Sequence, residues 1–122
     1  MSSDPQNLSP SCIFCKILAG LAPAKILFRD ELVTAVQDSH PIAPVHFLVI
    51  PNRHIATLEE ATSQDEALLG HMALVARQIA SQQGIRQSGY RLVINTGPDA
   101  GQSVFHLHLH VIGGRRLPFK FE

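Results

Sequence analysis

Hydrophobic positions between residues 63 and 83 recur every three or four places, which is typical of an amphipathic helix. Ser63 and Glu66 have the spacing of a capping box at the start of this segment. Gly84 follows it and is expected to end the helix. A second, shorter helix is predicted over residues 12–18, with Ser11 as its N-cap and Gly20 at its end.

Shorter segments with apolar or alternating patterns, bounded by turn residues, predict five strands. Asp30 and Glu31 are expected to form a hairpin turn between the first two. The chain therefore has an α+β pattern, and we expect an antiparallel sheet with one long and one short helix on one face. The predicted strands cover residues 25–29, 32–37, 46–50, 90–95 and 104–112.

The last predicted strand has the strictest alternation in the chain. In a strand, successive side chains point to opposite faces of the sheet. One face is therefore expected to carry three imidazoles, while the other packs on the core. The apolar set is Phe105, Leu107, Leu109 and Val111, and the polar set is His106, His108 and His110.

Length and charge exclude several classes of protein. The chain has 122 residues, and its ten basic and ten acidic side chains give no net charge. A neutral chain is not expected to bind nucleic acid or an anionic membrane through broad electrostatic attraction. The sequence contains no apolar run of the ~20 residues that a membrane span needs and no signal-peptide pattern at its start. We expect a cytoplasmic protein with one domain at residues 11–116, a disordered tail at 1–10 and a C-terminal tail at 117–122.

Cys12 and Cys15 form a Cys-x-x-Cys pair at the start of the short helix. A cytoplasmic location argues against a structural disulfide. Three interpretations remain: a redox pair, two buried thiols, or half of a zinc site. The redox interpretation is disfavoured because no strand is predicted before the pair.

The Gly101-Gln102-Ser103 turn precedes the histidine row and suggests phosphate chemistry. Glycine allows backbone N–H groups to approach an anion closely. A neutral imidazole in the middle of the row could attack phosphorus, as in nucleotidyl transfer. A metal site made by two histidines of the row also remains open. Arg115 and Arg116 could neutralise phosphate or form a plain surface pair.

Several motifs occur together in one order and resemble those of the HIT (histidine triad) superfamily over residues 11–116. The third histidine of the row, His110, stands where the Fhit branch usually has glutamine, so the chain is most similar to the Hint branch of purine nucleoside phosphoramidases. The motifs are Cys12-Ile13-Phe14-Cys15, Asp38 before a Pro-rich loop, the segment from His46 to His54, Asn95-Thr96-Gly97, and the segment from Gly101 to Arg115.

The resemblance implies a hydrolase that cleaves the P–N or P–O bond of adenosine phosphoramidates and aminoacyl-adenylates and releases AMP. It implies that His108 forms a covalent nucleotidyl intermediate, that Ser103 assists the leaving group, that His110 contacts the phosphoryl oxygens and that His46 supports the row. The implied substrate-binding set is Phe14, Ile17, Asp38, Asn95, Gly101, Gln102, Ser103, His108 and His110.

The resemblance also implies structural zinc on Cys12, Cys15, His54 and His106, with no organic cofactor. It further implies a homodimer joined through the long helix and a strand. Two alternatives to the phosphoramidase remain. One is a dinucleotide polyphosphate hydrolase or nucleotidyl transferase of the same superfamily. The other is a module that binds nucleotide or zinc without turnover.

Overall fold

The computed structural model describes residue 9 and residues 11–118, and it confirms the α+β class. Five antiparallel strands form one sheet in the order β1-β2-β3-β5-β4. Most of the predicted N-terminal tail and the last four residues of the C-terminal tail lie outside the described residues. The elements are α1 (Ile13–Leu18), β1 (Ile26–Arg29), β2 (Val33–Gln37), β3 (Val45–Pro51), α2 (Glu66–Gln82), β4 (Tyr90–Val93) and β5 (Leu109–Gly113).

The two helices cover opposite faces of the sheet, so the expectation that both lie on one face was wrong. The central strands β2 and β3 are apolar on both faces, and a sheet of this kind needs cover on both sides. Helix α2 packs on the face that carries Phe47 and Val49. Helix α1 packs on the other face, against Leu48 and Ile50. In residues 11–118, no helix is long and apolar enough to cross a membrane.

The long helix starts slightly later than predicted. A single 3-10 turn, Ser63–Asp65, precedes α2, and the capping box is formed by Thr62 and Asp65 rather than by Ser63 and Glu66. Both pairs have the same spacing, but Asp65 is also held by an ion pair with Arg53. Gly84 follows the end of α2 with φ +80°, as expected for a glycine that ends a helix.

The short helix is capped by Cys12 instead of the predicted Ser11. The Sγ atom of Cys12 accepts a hydrogen bond from the backbone N–H of Cys15 at 3.4 Å. The predicted end of the helix is confirmed, because Gly20 follows α1 with φ +78°. The cap therefore uses the same cysteine that the metal interpretation needs.

The histidine segment is a strand only from Leu109 onward, although the alternation predicts one from residue 104. Pairing with β3 ends at Val49 and Leu109. Toward the end of β3 lies Pro51, which has no N–H to donate to a ladder, and its carbonyl accepts from the ring of His106 at 2.9 Å. Leu107 instead donates its N–H to Ile55 in the loop after β3, at 2.6 Å.

Side chains of the segment follow the predicted faces only in part. Leu107, Leu109 and Val111 are core residues, as the alternation predicts. Phe105 is 49% exposed, so the expectation that it packs in the core was wrong. The irregular backbone before β5 accounts for this difference, because strand alternation applies only where the backbone is extended.

We expect the substitution Gly113→Ala to destabilise the protein by about 1–3 kcal/mol, because small-to-large changes in packed sites force neighbours apart. A Cβ at this position would lie 2.9 Å from Ile85 Cδ1 and 3.1 Å from the Gly89 carbonyl oxygen. The control is Gly70→Ala in α2, where nothing lies within 4 Å. The free energy of unfolding in urea measures both, and equal values for the two variants would contradict the packing argument.

Candidate active site and metal centre

A cavity of about 680 Å³ lies between α1 and the sheet face that it covers. This volume is within the range of small-molecule sites, which are about 300–1,000 Å³. Part of the wall is apolar and part carries groups that hydrogen-bond or react. The apolar side chains include Phe14, Ile17, Val36 and Leu48, and the others include Asp38, Asn95, Gly101, Ser103, His108 and His110.

The structure therefore brings almost all predicted substrate-binding residues into one cavity. Gln102 does not line it. Its buried side chain accepts from the Gly97 N–H at 2.9 Å and donates to the Ala56 and Val104 carbonyls at 2.9 and 3.1 Å. Gln102 thus ties together the loop from Gly97 to Ser103, which presents Gly101 and Ser103 to the cavity.

Gly97 and Gly101 make the tight loop possible. They have φ values of +83° and +80°, in the region that favours glycine. A single 3-10 turn, Pro98–Ala100, lies between them. Asn95 stands just before this loop and Ser103 just after it, and both line the cavity.

His108 has a defined tautomer. Its Nδ1 lies 2.7 Å from the main-chain oxygen of His106, and because a carbonyl can only accept, Nδ1 carries the proton. Burial lowers the pKa of His108, against the hydrogen bond to His106, so the neutral ring is favoured. The Nε2 of a neutral ring with this tautomer has a free lone pair. A buried neutral imidazole with an open Nε2 is what a nucleophile on phosphorus requires.

His46 and His110 form a pair beside Asp38. His46 Nε2 lies 3.0 Å from His110 Nδ1 and 3.3 Å from Asp38 Oδ2. Burial, followed by the neighbouring His108 and His46, lowers the pKa of His110 to about 4. Burial also lowers the pKa of His46, although Asp38 opposes this. His46 contacts His110 and does not line the cavity.

A separate cluster joins the predicted metal ligands. The ligand atoms of Cys12, Cys15, His54 and His106 all lie within 4.8 Å of one another. Cys12 Sγ and Cys15 Sγ lie 3.4 and 3.5 Å from His106 Nδ1, and Cys15 Sγ lies 3.2 Å from His54 Nδ1. Bonds of ~2.0–2.3 Å in a tetrahedral site imply ligand–ligand separations of roughly 3.3–3.8 Å. The cluster can therefore hold a metal ion.

The ring of His106 has the tautomer that a metal ligand needs. Its Nε2 lies 2.9 Å from the Pro51 carbonyl, so Nε2 carries the proton and the Nδ1 lone pair faces the sulfurs. Burial lowers the pKa of His106 to about 4, against the hydrogen bond to Pro51, which keeps the ring neutral. Of the three interpretations of the cysteine pair, the metal site has the geometry it needs.

The cysteine cluster is connected to the cavity through α1. Cys12 and Cys15 belong to the start of this helix, whereas His54 and His106 belong to the sheet side of the fold. Phe14 lies between the cysteines, and its ring contacts the rings of His106 and His108 with centroids 5.9 and 5.1 Å apart. Holding α1 in place therefore also positions a wall of the cavity beside His108.

Some residues near the cavity were not predicted as site residues. Lys25, Ser39 and His40 line it. The backbone N–H of Ile42 donates to His46 Nδ1 at 3.2 Å, and a main-chain contact of this kind has no signature in the sequence. Arg115 donates to the Ile42 carbonyl at 3.1 Å, so it holds the loop at Ile42.

The fold and the site together define a class: an α+β protein with a cavity of about 680 Å³ and a row of histidines at its edge. A family model described as the HIT domain matches residues 19–117. The chain belongs to the HIT domain family.

Relatives of known structure and function agree with this assignment. Purine nucleoside phosphoramidase of Escherichia coli K12 is 44% identical over 110 residues, covering 90% of this chain and 92% of the relative. A HIT family hydrolase from Legionella pneumophila has a TM-score of 0.87 and 41% identity, over 89% of this chain and 97% of that one. A Zn-bound histidine triad family protein from Mycobacterium smegmatis has a TM-score of 0.77 and 34% identity, over 92% and 83%.

Proposed function

We propose that the protein is a purine nucleoside phosphoramidase, which hydrolyses the P–N bond of adenosine phosphoramidates, or the P–O bond of aminoacyl-adenylates, and releases AMP. One observation carries the proposal: the Nδ1 proton of His108 is donated to the His106 carbonyl at 2.7 Å, which leaves Nε2 free at the cavity. The Escherichia coli relative that bears this name supports the substrate class.

Substrate binding follows from the composition of the cavity. Phe14 and Ile17 enclose the apolar base, and they lie on the same wall of the cavity. Asp38 accepts hydrogen bonds from the ribose hydroxyls, and the His40 N–H orients its carboxylate by donating to Oδ1 at 2.8 Å. Gly101, Asn95 and His110 surround the phosphate. Donors arranged around the phosphoryl oxygens stabilise the charge that develops during transfer.

In the first step, the Nε2 lone pair of His108 attacks the α-phosphorus and forms a P–N bond. The bond from phosphorus to the leaving nitrogen breaks, and this nitrogen departs as an amine after it gains a proton from solvent. Ser103 donates a hydrogen bond to the leaving group. The nucleotidylated ring carries positive charge, which the hydrogen bond from Nδ1 to the His106 carbonyl stabilises.

In the second step, water attacks the same phosphorus and the bond to Nε2 breaks. AMP leaves, and His108 returns to its neutral tautomer. Two displacements through a covalent intermediate replace one more difficult step. The overall reaction consumes one water and yields AMP together with the amine from a phosphoramidate, or the amino acid from an aminoacyl-adenylate.

We expect His108→Ala to reduce the hydrolysis of an adenosine phosphoramidate by at least about 10⁴-fold, because loss of a catalytic nucleophile removes most of the rate enhancement. Acid quench of the wild-type reaction, followed by mass spectrometry, is expected to show a nucleotidyl adduct on the peptide that contains His108. The control is His71→Gln. His71 lies on α2, pairs with Asp30 at 2.6 Å and does not line the cavity.

The same experiment separates the alternatives. Retained turnover in His108→Ala would contradict the proposal. An adduct with faster cleavage of diadenosine polyphosphate than of the phosphoramidate would favour the second type of hydrolase. Binding of AMP without any adduct or turnover would favour the non-catalytic module.

We propose that the metal is zinc with a structural role. Two thiolates and two imidazoles in a closed tetrahedral set are a common zinc site. The Zn-bound relative supports this choice. All four protein ligands leave no open position for substrate, and His108 and His110 remain outside the set. We also propose a cytoplasmic location, where the two cysteines stay reduced and able to bind metal.

We expect the protein purified without chelator to contain one zinc per chain, and Cys15→Ala to contain none. Because metal binding contributes to folding, chelation should lower the melting temperature of the wild type by about 5–10 °C, corresponding to about 2 kcal/mol. Cys15→Ala should melt near the chelated wild type and show no further change. Elemental analysis and thermal unfolding measure the two effects, and a chelator-insensitive wild type that contains no metal would contradict the site.

We propose a homodimer formed through α2 and β4. Strand β4 is at the edge of the sheet, and Leu92 pairs with Val111, which places its side chain on the face covered by α2. Leu92 and Leu74 of α2 are 42% and 60% exposed. An exposed edge strand beside apolar side chains is suited to pairing with a second copy.

We expect Leu92→Glu to convert the dimer into monomers, because the substitution places a charge in an apolar interface. Leu21→Glu is the control. Leu21 is 79% exposed and lies after α1, away from the proposed surface. Sedimentation velocity measures the mass, and a monomeric wild type at micromolar concentration would contradict the dimer.

A further inference from the structure

We propose that the backbone N–H of Ile42 determines where the protons lie on His46 and His110, and that it thereby weakens the binding of a metal ion by the cluster of Asp38, His46 and His110. Ile42 is a positioning residue in this account, because it acts through His46. The catalytic part of the inference rests on the proposed function, while the metal part does not.

The cluster at which a metal ion could otherwise bind consists of Asp38, His46 and His110. Its ligand atoms lie within 4.8 Å of one another. The separations are 3.0 Å between the two imidazoles, and 3.3 and 4.0 Å from Asp38 Oδ2 to His46 and His110. Two histidines and one carboxylate are a frequent ligand set for catalytic zinc and iron. By distance alone, this cluster resembles a metal site as much as the cysteine cluster does.

The direction of one hydrogen bond argues against a metal there. An N–H group can only donate, so the Ile42 amide at 3.2 Å requires a lone pair on His46 Nδ1. A neutral His46 must then carry its proton on Nε2. A metal on Nε2 would move that proton to Nδ1, where two N–H groups would face each other without an acceptor. The Ile42 amide therefore opposes metal binding by His46.

The same bond determines the state of His110. Because His46 Nε2 carries a proton, it donates to His110 Nδ1 at 3.0 Å. The proton of His110 then lies on Nε2, on the side of the ring away from His46. His110 lines the cavity, so this N–H is available to a phosphoryl oxygen. Acting through His46, the Ile42 amide thus determines that His110 presents its N–H to the cavity in the proposed reaction.

The cysteine cluster shows the opposite arrangement. There the outer partner of His106 is an acceptor, the Pro51 carbonyl at 2.9 Å, and the lone pair of Nδ1 faces the sulfurs. A metal-binding histidine usually donates its other N–H to such an acceptor. The two clusters therefore differ in the main-chain partner of one histidine. His106 has an acceptor behind its ring, whereas His46 has a donor.

The loop around Ile42 is held from both sides. Arg115 donates to the Ile42 carbonyl at 3.1 Å, and Asp38 donates its N–H to the His46 carbonyl at 3.1 Å. Pro41 and Pro44 restrict the backbone on either side of Ile42. The side chain of Ile42 is 61% exposed, so the backbone rather than the side chain makes the relevant contact.

The test removes the backbone N–H of Ile42 and leaves the side chains of the cluster unchanged. Ile42→Pro lacks the N–H, and Ile42→Ala is the matched control that retains it. Each protein is first loaded with one zinc per chain and then titrated with Co²⁺, whose visible absorption reports a second bound ion. We expect Ile42→Pro to bind Co²⁺ about 10–100-fold more tightly than wild type, in line with the usual effect of a partner behind a ligating histidine. Ile42→Ala should match wild type.

Nitrogen-15 NMR of the histidine rings provides a second readout that a loss of packing would not change in the same way. In wild type and Ile42→Ala, we expect the proton of both His46 and His110 on Nε2. In Ile42→Pro, His46 should show a mixture of tautomers. Should the proline distort the loop, replacing the Ile42 amide by an ester removes the N–H with little change in shape.

A proton on Nδ1 of His46 in the wild type would overturn the proposal, as would equal Co²⁺ affinity in wild type and Ile42→Pro, or in wild type and the ester. These readouts do not depend on turnover. The expected tautomers together with no phosphoramidase activity would therefore contradict only the proposed function.

Discussion

The structure depends most on His106, because this residue connects the cysteine cluster to His108. Its ring faces Cys12 and Cys15 while its backbone carbonyl accepts the Nδ1 proton of His108 at 2.7 Å. The ring is fully buried and is fixed from behind by the Pro51 carbonyl. Contacts that position the ring of His106 therefore also position its backbone carbonyl, which fixes the tautomer of His108. A metal ion at the cysteine cluster would therefore support the reaction that we propose through this one residue.

Backbone hydrogen bonds distinguish four histidine side chains by determining which ring nitrogen carries the proton. A carbonyl behind His106 exposes a lone pair to the sulfurs, and a carbonyl behind His108 leaves Nε2 free at the cavity. An amide behind His46 has the reverse effect: it requires a lone pair on Nδ1, so the His46 proton lies on Nε2 and is donated in a hydrogen bond to His110. Burial favours the neutral form of all four rings by lowering their pKa values. In a neutral ring one nitrogen donates and the other accepts, so a single fixed partner determines both.

The sequence predicted the fold class, the order of the strands along the chain and the four residues that meet at the cysteine cluster, but not the cluster of Asp38, His46 and His110. Alternation correctly assigned Leu107, Leu109 and Val111 to the core, but it could not show that pairing with β3 ends at Leu109, before His106. Ser63–Glu66 and Thr62–Asp65 have equal spacing, so the sequence could not show that the second pair forms the capping box, in which Asp65 also pairs with Arg53. The Ile42 amide had no signal at all, since every residue except proline carries one. Residue type and spacing predict which groups meet, whereas the direction of a hydrogen bond requires the folded backbone.

The central claim is that main-chain hydrogen bonds fix the tautomers of the histidine row. Neutron diffraction from deuterated crystals of the metal-loaded protein at neutral pH tests it most directly, because it locates the ring deuterons. The account predicts deuterium on Nε2 of His106 and on Nδ1 of His108, with none on Nδ1 of His106 or Nε2 of His108. Deuterium on Nε2 of His108, or on both of its nitrogens, would contradict the account, because that ring would have no lone pair for phosphorus.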